Sequence, residues 1–347
     1  METNTPYLWL TRIEKKFINK SPLGKFSTIT LTIGIQPLIL NMIFFYFIFG
    51  TAPTRFYFLQ ILAATVLIVG PFLLYRYETY VFPRFIHLAK DVTPHEDNKK
   101  IKEISNKYRE FYAKKYYYVV IPWTIILFGA LYLNLPYFQN MGVGGFTDPT
   151  FIPYIIGWVI YAGVITGIGL HMIITTITCI REVGDLNFSI DPLHPDGLGG
   201  LSSIGYFAIS STTLFSIGSL SFPLFFDIAD QSGIPIFIYV IVIVYIGCIL
   251  LSFLYPTMYI NRRAKEIRRN VLESKRERIY NYHQEILNAD SDKNIDRMKT
   301  KLDTLRDEYD EYDKINLYPL SPSIFSKLLS SIMLPLFFLL LETYVVS

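Results

Sequence analysis

The strongest constraint on this chain is the spacing of its charges. Seven long runs almost free of Lys, Arg, Asp and Glu, at 28–49, 57–75, 117–135, 152–178, 204–226, 236–258 and 325–346, alternate with densely charged stretches. At ~1.5 Å per residue, each run is long enough as a helix to cross ~30 Å of hydrocarbon. In lipid an unpaired backbone amide has no water to turn to, so such runs fold as helices rather than as open strands. Composition agrees: 18% of the residues are charged and 51% are hydrophobic, whereas a soluble domain is ~25% charged. The fold class expected is all-α, a polytopic transmembrane bundle of about seven spans.

Orientation follows from Lys and Arg in the flanking segments. Residues 1–27 hold Arg12, Lys15, Lys16, Lys20 and Lys25, and segments 76–115 and 261–279 are also basic. Loops 136–151 and 227–235 have neither Lys nor Arg, and loop 50–56 has Arg55 alone. This alternation predicts a cytoplasmic N-terminus in the cell (plasma) membrane. The last run carries Lys327, Pro335 and Glu342, so 325–346 reads either as a seventh span or as a re-entrant or interfacial helix. No apolar signal-peptide core is expected before residue 28. Cys179 and Cys248 form no metal or disulfide pattern and read as small apolar residues.

Four units are expected. Residues 1–27 form a basic amphipathic segment, with Trp9, Leu10, Ile13 and Phe17 on one helical face, suited to an anionic leaflet. Residues 28–260 form six spans, including a cytoplasmic helical segment at 76–116. That segment is expected to break at Pro83 and Pro94, with Thr93 and Glu96 at capping-box spacing, and then to run on into span three. Residues 261–320 form a second cytoplasmic arm and 321–347 the last helix. In the second arm Ile295, Met298, Leu302, Leu305, Tyr309 and Tyr312 follow the 3-4-3-4-3 spacing of a coiled-coil seam. Basic residues near 262–269 would face acidic ones near 307–313 if the arm folds back as an antiparallel hairpin.

Two constellations are candidates for function. The first is the loop before span five, where Asp191, His194, Asp196, Gly197, Gly199 and Gly200 lie among prolines. Glycine amides leading into a helix can cradle an anion, and the His and Asp side chains are of the type that ligate metal or act as a base. The same residues also make a rigid connector. The spacing matches neither a Walker loop nor a dinucleotide fingerprint, and no cofactor and no metal are expected. The stretch His194-Pro195-Asp196-Gly197-Leu198-Gly199-Gly200-Leu201 resembles the H-P-D-x-x-G-G-L loop of a loose group of prokaryotic multipass membrane proteins. The Tyr318-Pro319 entry and the Pro335 tail resemble that group more faintly. The resemblance implies a membrane location and no particular activity. Members often place a basic residue after the Asp, where this chain has Gly197, which weakens any phosphate role the resemblance would imply.

The second constellation lies within the spans. Gly163, Gly167, His171, Thr175 and Thr178 recur along one face of span four, and Ser202, Gly205, Thr212, Thr213, Ser216 and Ser219 along one face of span five. Such stripes serve either close helix packing or the lining of a pore. His171 favours a protein- or water-facing position, because an ionisable group is costly in lipid. Three functions remain open from sequence: an oligomeric channel or transport protein with cytoplasmic arms, a membrane-embedded enzyme using the His194/Asp196 loop, and a signalling scaffold. The partners expected are the bilayer, further copies of the chain, and a cytosolic protein at 261–314. Nucleic acid is not expected, because the acidic arm offsets the basic one.

Overall fold

A computed structural model describes residues 6–36, 54–140, 151–186, 199–232, 235–287 and 292–315, together with positions 39, 147, 190, 191, 194, 326, 329, 330, 333 and 337. All regular structure among these residues is helical. Five helical stretches are long and apolar enough to cross a membrane: Ile61–Asp91, Asn98–Leu133, Gly157–Gly184, Ile204–Ile228 and Tyr239–Leu287. The runs expected at 28–49 and 325–346 lie largely outside the described residues.

The chain opens with α1 (Trp9–Ile18) and the short α2 (Lys25–Ile29). The first long apolar helix, α3 (Thr54–Arg76), continues through one wide turn at Tyr77–Val81 into α4 (Phe82–Asp91). The expected break at Pro83 does not occur. Pro83 sits in the first turn of α4, where a missing amide hydrogen is tolerated, and the wide turn before it absorbs the local mismatch. The helix ends instead at Val92, before Pro94. Thr93 does not cap the helix that follows. Its hydroxyl donates back to the Ala89 carbonyl at 3.0 Å, and the residue preceding α5 (Asn98–Lys114) is Asp97, which makes no side-chain cap.

After a two-residue interruption at Lys115 and Tyr116, α6 (Tyr117–Leu133) carries the chain on. Next come α7 (Leu135–Asn140) and α8 (Phe151–Gly184), and α8 is the centre of the bundle, packing against α3, α5 and α6. It also contacts α9 (Ser202–Ser216) and α11 (Pro235–Leu287), the helices before and after α10 (Phe222–Ser232). Small residues permit this crowding. A Cβ on Gly163 would come within 2.3 Å of the Thr124 hydroxyl, and one on Gly167 within 3.0 Å of the Val120 Cα, so α6 sits directly on the glycine face of α8. At one end of the bundle, Phe85 of α4 stacks on Phe207 of α9 with ring centroids 4.1 Å apart.

The outer faces of α6 and α11 remain apolar and exposed. They include Tyr118, Ile121, Ile125 and Tyr132 on the first, and Ile243, Val244, Leu251 and Met258 on the second. In water such a surface would aggregate, whereas in a bilayer lipid or a neighbouring chain covers it.

The 53-residue α11 leaves the apolar region without interruption. Its distal part packs against α12 (Asp292–Lys314). Lys275 pairs with Glu308, and the Arg268 guanidinium donates to the Ile315 carbonyl at 3.2 Å. One position moves back along α11 as the other moves forward along α12, so the two helices run antiparallel. Among the described side chains of α12, the less exposed are Met298, Leu302, Leu305, Tyr309 and Tyr312.

Candidate functional site

The glycine-rich loop is built as a packed turn. Its described residues are Asp191, His194, Gly199 and Gly200, while Asp196 and Gly197 lie outside the described residues. The His194 amide donates to the Asp191 carbonyl at 3.1 Å, closing a tight turn. Gly199 and Gly200 have φ of 65° and 90°, in the left-handed region that side chains disfavour. A Cβ on Gly199 would meet Ile190 at 2.6 Å, and one on Gly200 would meet Val92 at 2.5 Å. Val92, Ile190 and Ile315 are all buried in the main core, so the turn joins the end of α4 to the residue that follows α12. No group of three His, Cys, Asp or Glu able to hold a metal ion occurs among the described residues.

The hydroxyl stripes separate by environment. Ser202, half-buried, begins α9, and Thr213 is exposed on its outer face. Thr178 is half-buried and donates to the Ile174 carbonyl at 2.7 Å. His171, Thr175, Thr212, Ser216 and Ser219 are buried. Thr175 donates to the His171 carbonyl at 2.7 Å, Ser216 to that of Thr213 at 2.9 Å, and Ser219 to that of Ser216 at 2.7 Å. Contacts between helices come largely from neighbours outside the predicted set. Thr176 donates to Ser211 at 3.1 Å and meets the Tyr77 hydroxyl at 3.0 Å. Thr212 meets Ser252 of α11 at 2.8 Å. Polar contacts therefore tie the wide turn, α8, α9 and α11 together from inside. His171 joins this interior through its Nε2, 3.1 Å from the Phe111 carbonyl, and its ring stacks on Tyr112.

The most unusual chemistry lies beside Tyr112 and was not anticipated from the sequence. Helix α1 turns Leu10, Thr11 and Glu14 into the bundle and leaves Trp9, Ile13 and Phe17 exposed. The apolar face expected at this segment is thus split: Leu10 is core, and the other three face outward. Glu14 is fully buried, and neither carboxylate oxygen has a hydrogen-bond partner. Burial, reinforced by the nearby charge of Glu78, pushes its carboxyl up to about 8. Glu78, in the wide turn, is also buried; one oxygen accepts the Leu8 amide at 2.9 Å and the other has no partner. The hydroxyl of Tyr112, also buried, lies within electrostatic reach of both carboxylates and has no partner either.

The carboxylate of α8, Glu182, is by contrast provided for. It accepts from the Tyr108 hydroxyl at 2.8 Å and pairs with the Lys107 ammonium at 2.5 Å. At the other end of the bundle, buried Asp227 accepts from the Tyr137 hydroxyl at 2.6 Å. No family model, curated protein or solved structure matches the chain.

Proposed function

We propose that this chain is a plasma-membrane transport protein, most simply an oligomeric channel, with its N-terminus and its α11–α12 arm in the cytoplasm. The observation that supports this reading is the polar interior: Tyr77, Thr176 and Ser211 in one hydrogen-bonded set, Thr212 and Ser252 in another, with His171 and Glu78 alongside. Ionisable groups such as His171 and Glu78 are costly among apolar helices and in membrane proteins commonly mark ion or proton paths, and hydroxyls beside them can line such a path as well as join helices. The exposed apolar faces of α6 and α11 give neighbouring copies a surface on which to assemble. The absence of Lys and Arg from 136–151 and 227–235 supports the orientation.

The test is purification in detergent, mass measurement of the assembly, and reconstitution into liposomes loaded with potassium salt. Ion efflux above that of empty vesicles is expected, with a clear reduction in Thr176→Val, which keeps the shape and removes the hydroxyl. A folded, homogeneous preparation that passes no ion would overturn the reading.

A further inference from the structure

Glu14 and Glu78 stand apart from every other acid described in the bundle. Glu182 and Asp227 each have a hydroxyl donor. Glu14 has none, although it is fully buried, and within its electrostatic reach lies a second buried carboxylate, Glu78, one oxygen of which makes no hydrogen bond. Two carboxylates enclosed together cannot both remain ionised without a positive charge between or beside them. The Tyr112 hydroxyl, 3% exposed as a residue and also without a partner, completes a set of oxygen groups turned toward an unfilled role.

We propose that Glu14 and Glu78 form a site that holds one proton, on Glu14, and that losing this proton releases α1 from the bundle. The inference is independent of whether the bundle conducts ions. Of the two, Glu78 is the better placed to carry the negative charge, because it accepts the Leu8 amide and lies near Thr11 and Lys15 of α1 and Arg109 of α5, whereas neither Glu14 oxygen has a partner. Glu14 carries the proton. The other titratable groups facing the pair are neutral tyrosines: Tyr77 in the wide turn, Tyr112 on α5 and Tyr161 on α8. His171 of α8 lies behind Tyr112, stacked on its ring.

The direction of the pH effect follows from proton counting. Released into water, Glu14 has its ordinary value of 4.5; docked, it is pushed up to about 8. Between these values the docked state holds more protons than the released one, so docking weakens as pH rises and is unaffected beyond either limit. Within that window the ratio of docked to released protein falls by up to about tenfold per pH unit.

Spin labels at Lys16→Cys on α1 and Lys102→Cys on α5, in the full chain with Cys179→Ala and Cys248→Ala, report docking as a distance distribution in nanodiscs. A single short distance is expected at pH 5, with a longer population growing toward pH 9. In Glu14→Gln, which mimics the protonated acid, the short distance should persist at every pH. Glu78→Gln, which removes the neighbouring charge and keeps an acceptor for the Leu8 amide, should lose docking less steeply and at higher pH than the parent, because Glu14 is then pushed up less in the docked state. A distance unchanged between pH 5 and pH 9 in the parent protein would overturn the proposal, as would the same pH response in both variants. Restoration of the short distance at pH 9 by sodium chloride, but not by choline chloride, would assign the site to a metal cation and overturn the proton assignment.

Discussion

The Leu8 amide donates to the Glu78 carboxylate at 2.9 Å, across 70 residues of sequence. This bond fixes the start of α1 against the wide turn after α3. Glu78→Ala removes the acceptor and leaves a buried N–H unsatisfied, a loss of about 1–3 kcal/mol. Trypsin should then cut faster at Lys15 and Lys16, whereas Glu78→Gln, whose amide oxygen can accept the same bond, should be milder. Equal cleavage of Glu78→Ala and the parent would show that α1 is held by other contacts.

The interior hydroxyls give a second prediction. Tyr77→Phe and Ser211→Ala each remove one partner of Thr176. Side-chain bonds between membrane helices contribute about 0.6–2 kcal/mol, so each variant should lower thermal stability modestly. Because the two bonds share Thr176, the Tyr77→Phe/Ser211→Ala double variant should differ from the sum of the singles. Strict additivity in a denaturation series would mean that the three groups do not act as one network.

A third concerns the loop. Gly200→Ala should be markedly destabilising, combining about 1–2 kcal/mol of backbone strain at positive φ with a collision at Val92. Val92→Ala removes the colliding methyl, so the double variant should be less damaged than the sum predicts. His194→Ala should leave the melting temperature closer to the parent's than Gly200→Ala does. A large loss of stability on removing the imidazole, with a tolerated Gly200→Ala, would reverse the assignment of the loop as a packed connector.

Leu302, 5% exposed on α12, is a fourth point of leverage. Leu302→Asp buries a carboxylate against α11, a change worth several kcal/mol if the charge finds no partner. Its exposed neighbour offers the control: Asp303→Leu should leave the packing of α12 intact. Proteolysis between α11 and α12 should rise sharply in the first variant only, and equal resistance of the two would show that Leu302 packs nothing of consequence.

Orientation can be checked at exposed Thr147. In a background lacking the native cysteines, Thr147→Cys should react with a membrane-impermeant maleimide on intact cells. Reaction only after permeabilisation would invert the assignment of the basic segments to the cytoplasm.

The sequence made the apolar helices legible because lipid demands length and the absence of charge, two properties visible without tertiary context. The charge-free runs of spans four and six end at residues 178 and 258, yet α8 runs to Gly184 and α11 to Leu287. The pattern marks where charge begins, not where backbone hydrogen bonding ends. Pro83 reads as a break because a proline inside a helix costs a hydrogen bond, but the wide turn at Tyr77–Val81 puts it in the first turn of α4, where a missing amide hydrogen is tolerated. The pair Glu14 and Glu78 was invisible for another reason. A carboxylate in a basic flank reads as solvated surface, and only the docking of α1 buries it. Glu14 lies three and four residues from Thr11 and Leu10, on their face of the helix, and that spacing was the available signal once Leu10 was separated from Trp9, Ile13 and Phe17.

Helix α11 also has a mechanical consequence. From Asn261 to Leu287 it extends about 40 Å beyond its apolar portion without a break, at ~1.5 Å per residue. Pro256 lies near the base of this extension, where proline removes a backbone bond and lowers the resistance to bending. Pivoting there by about 10° would carry the tip sideways by about 7 Å, more than the ~5.4 Å pitch of a helix. A lever of this kind turns a small reorientation among packed helices into a displacement large enough for another molecule to sense, and α12, folded back along it, stiffens the beam.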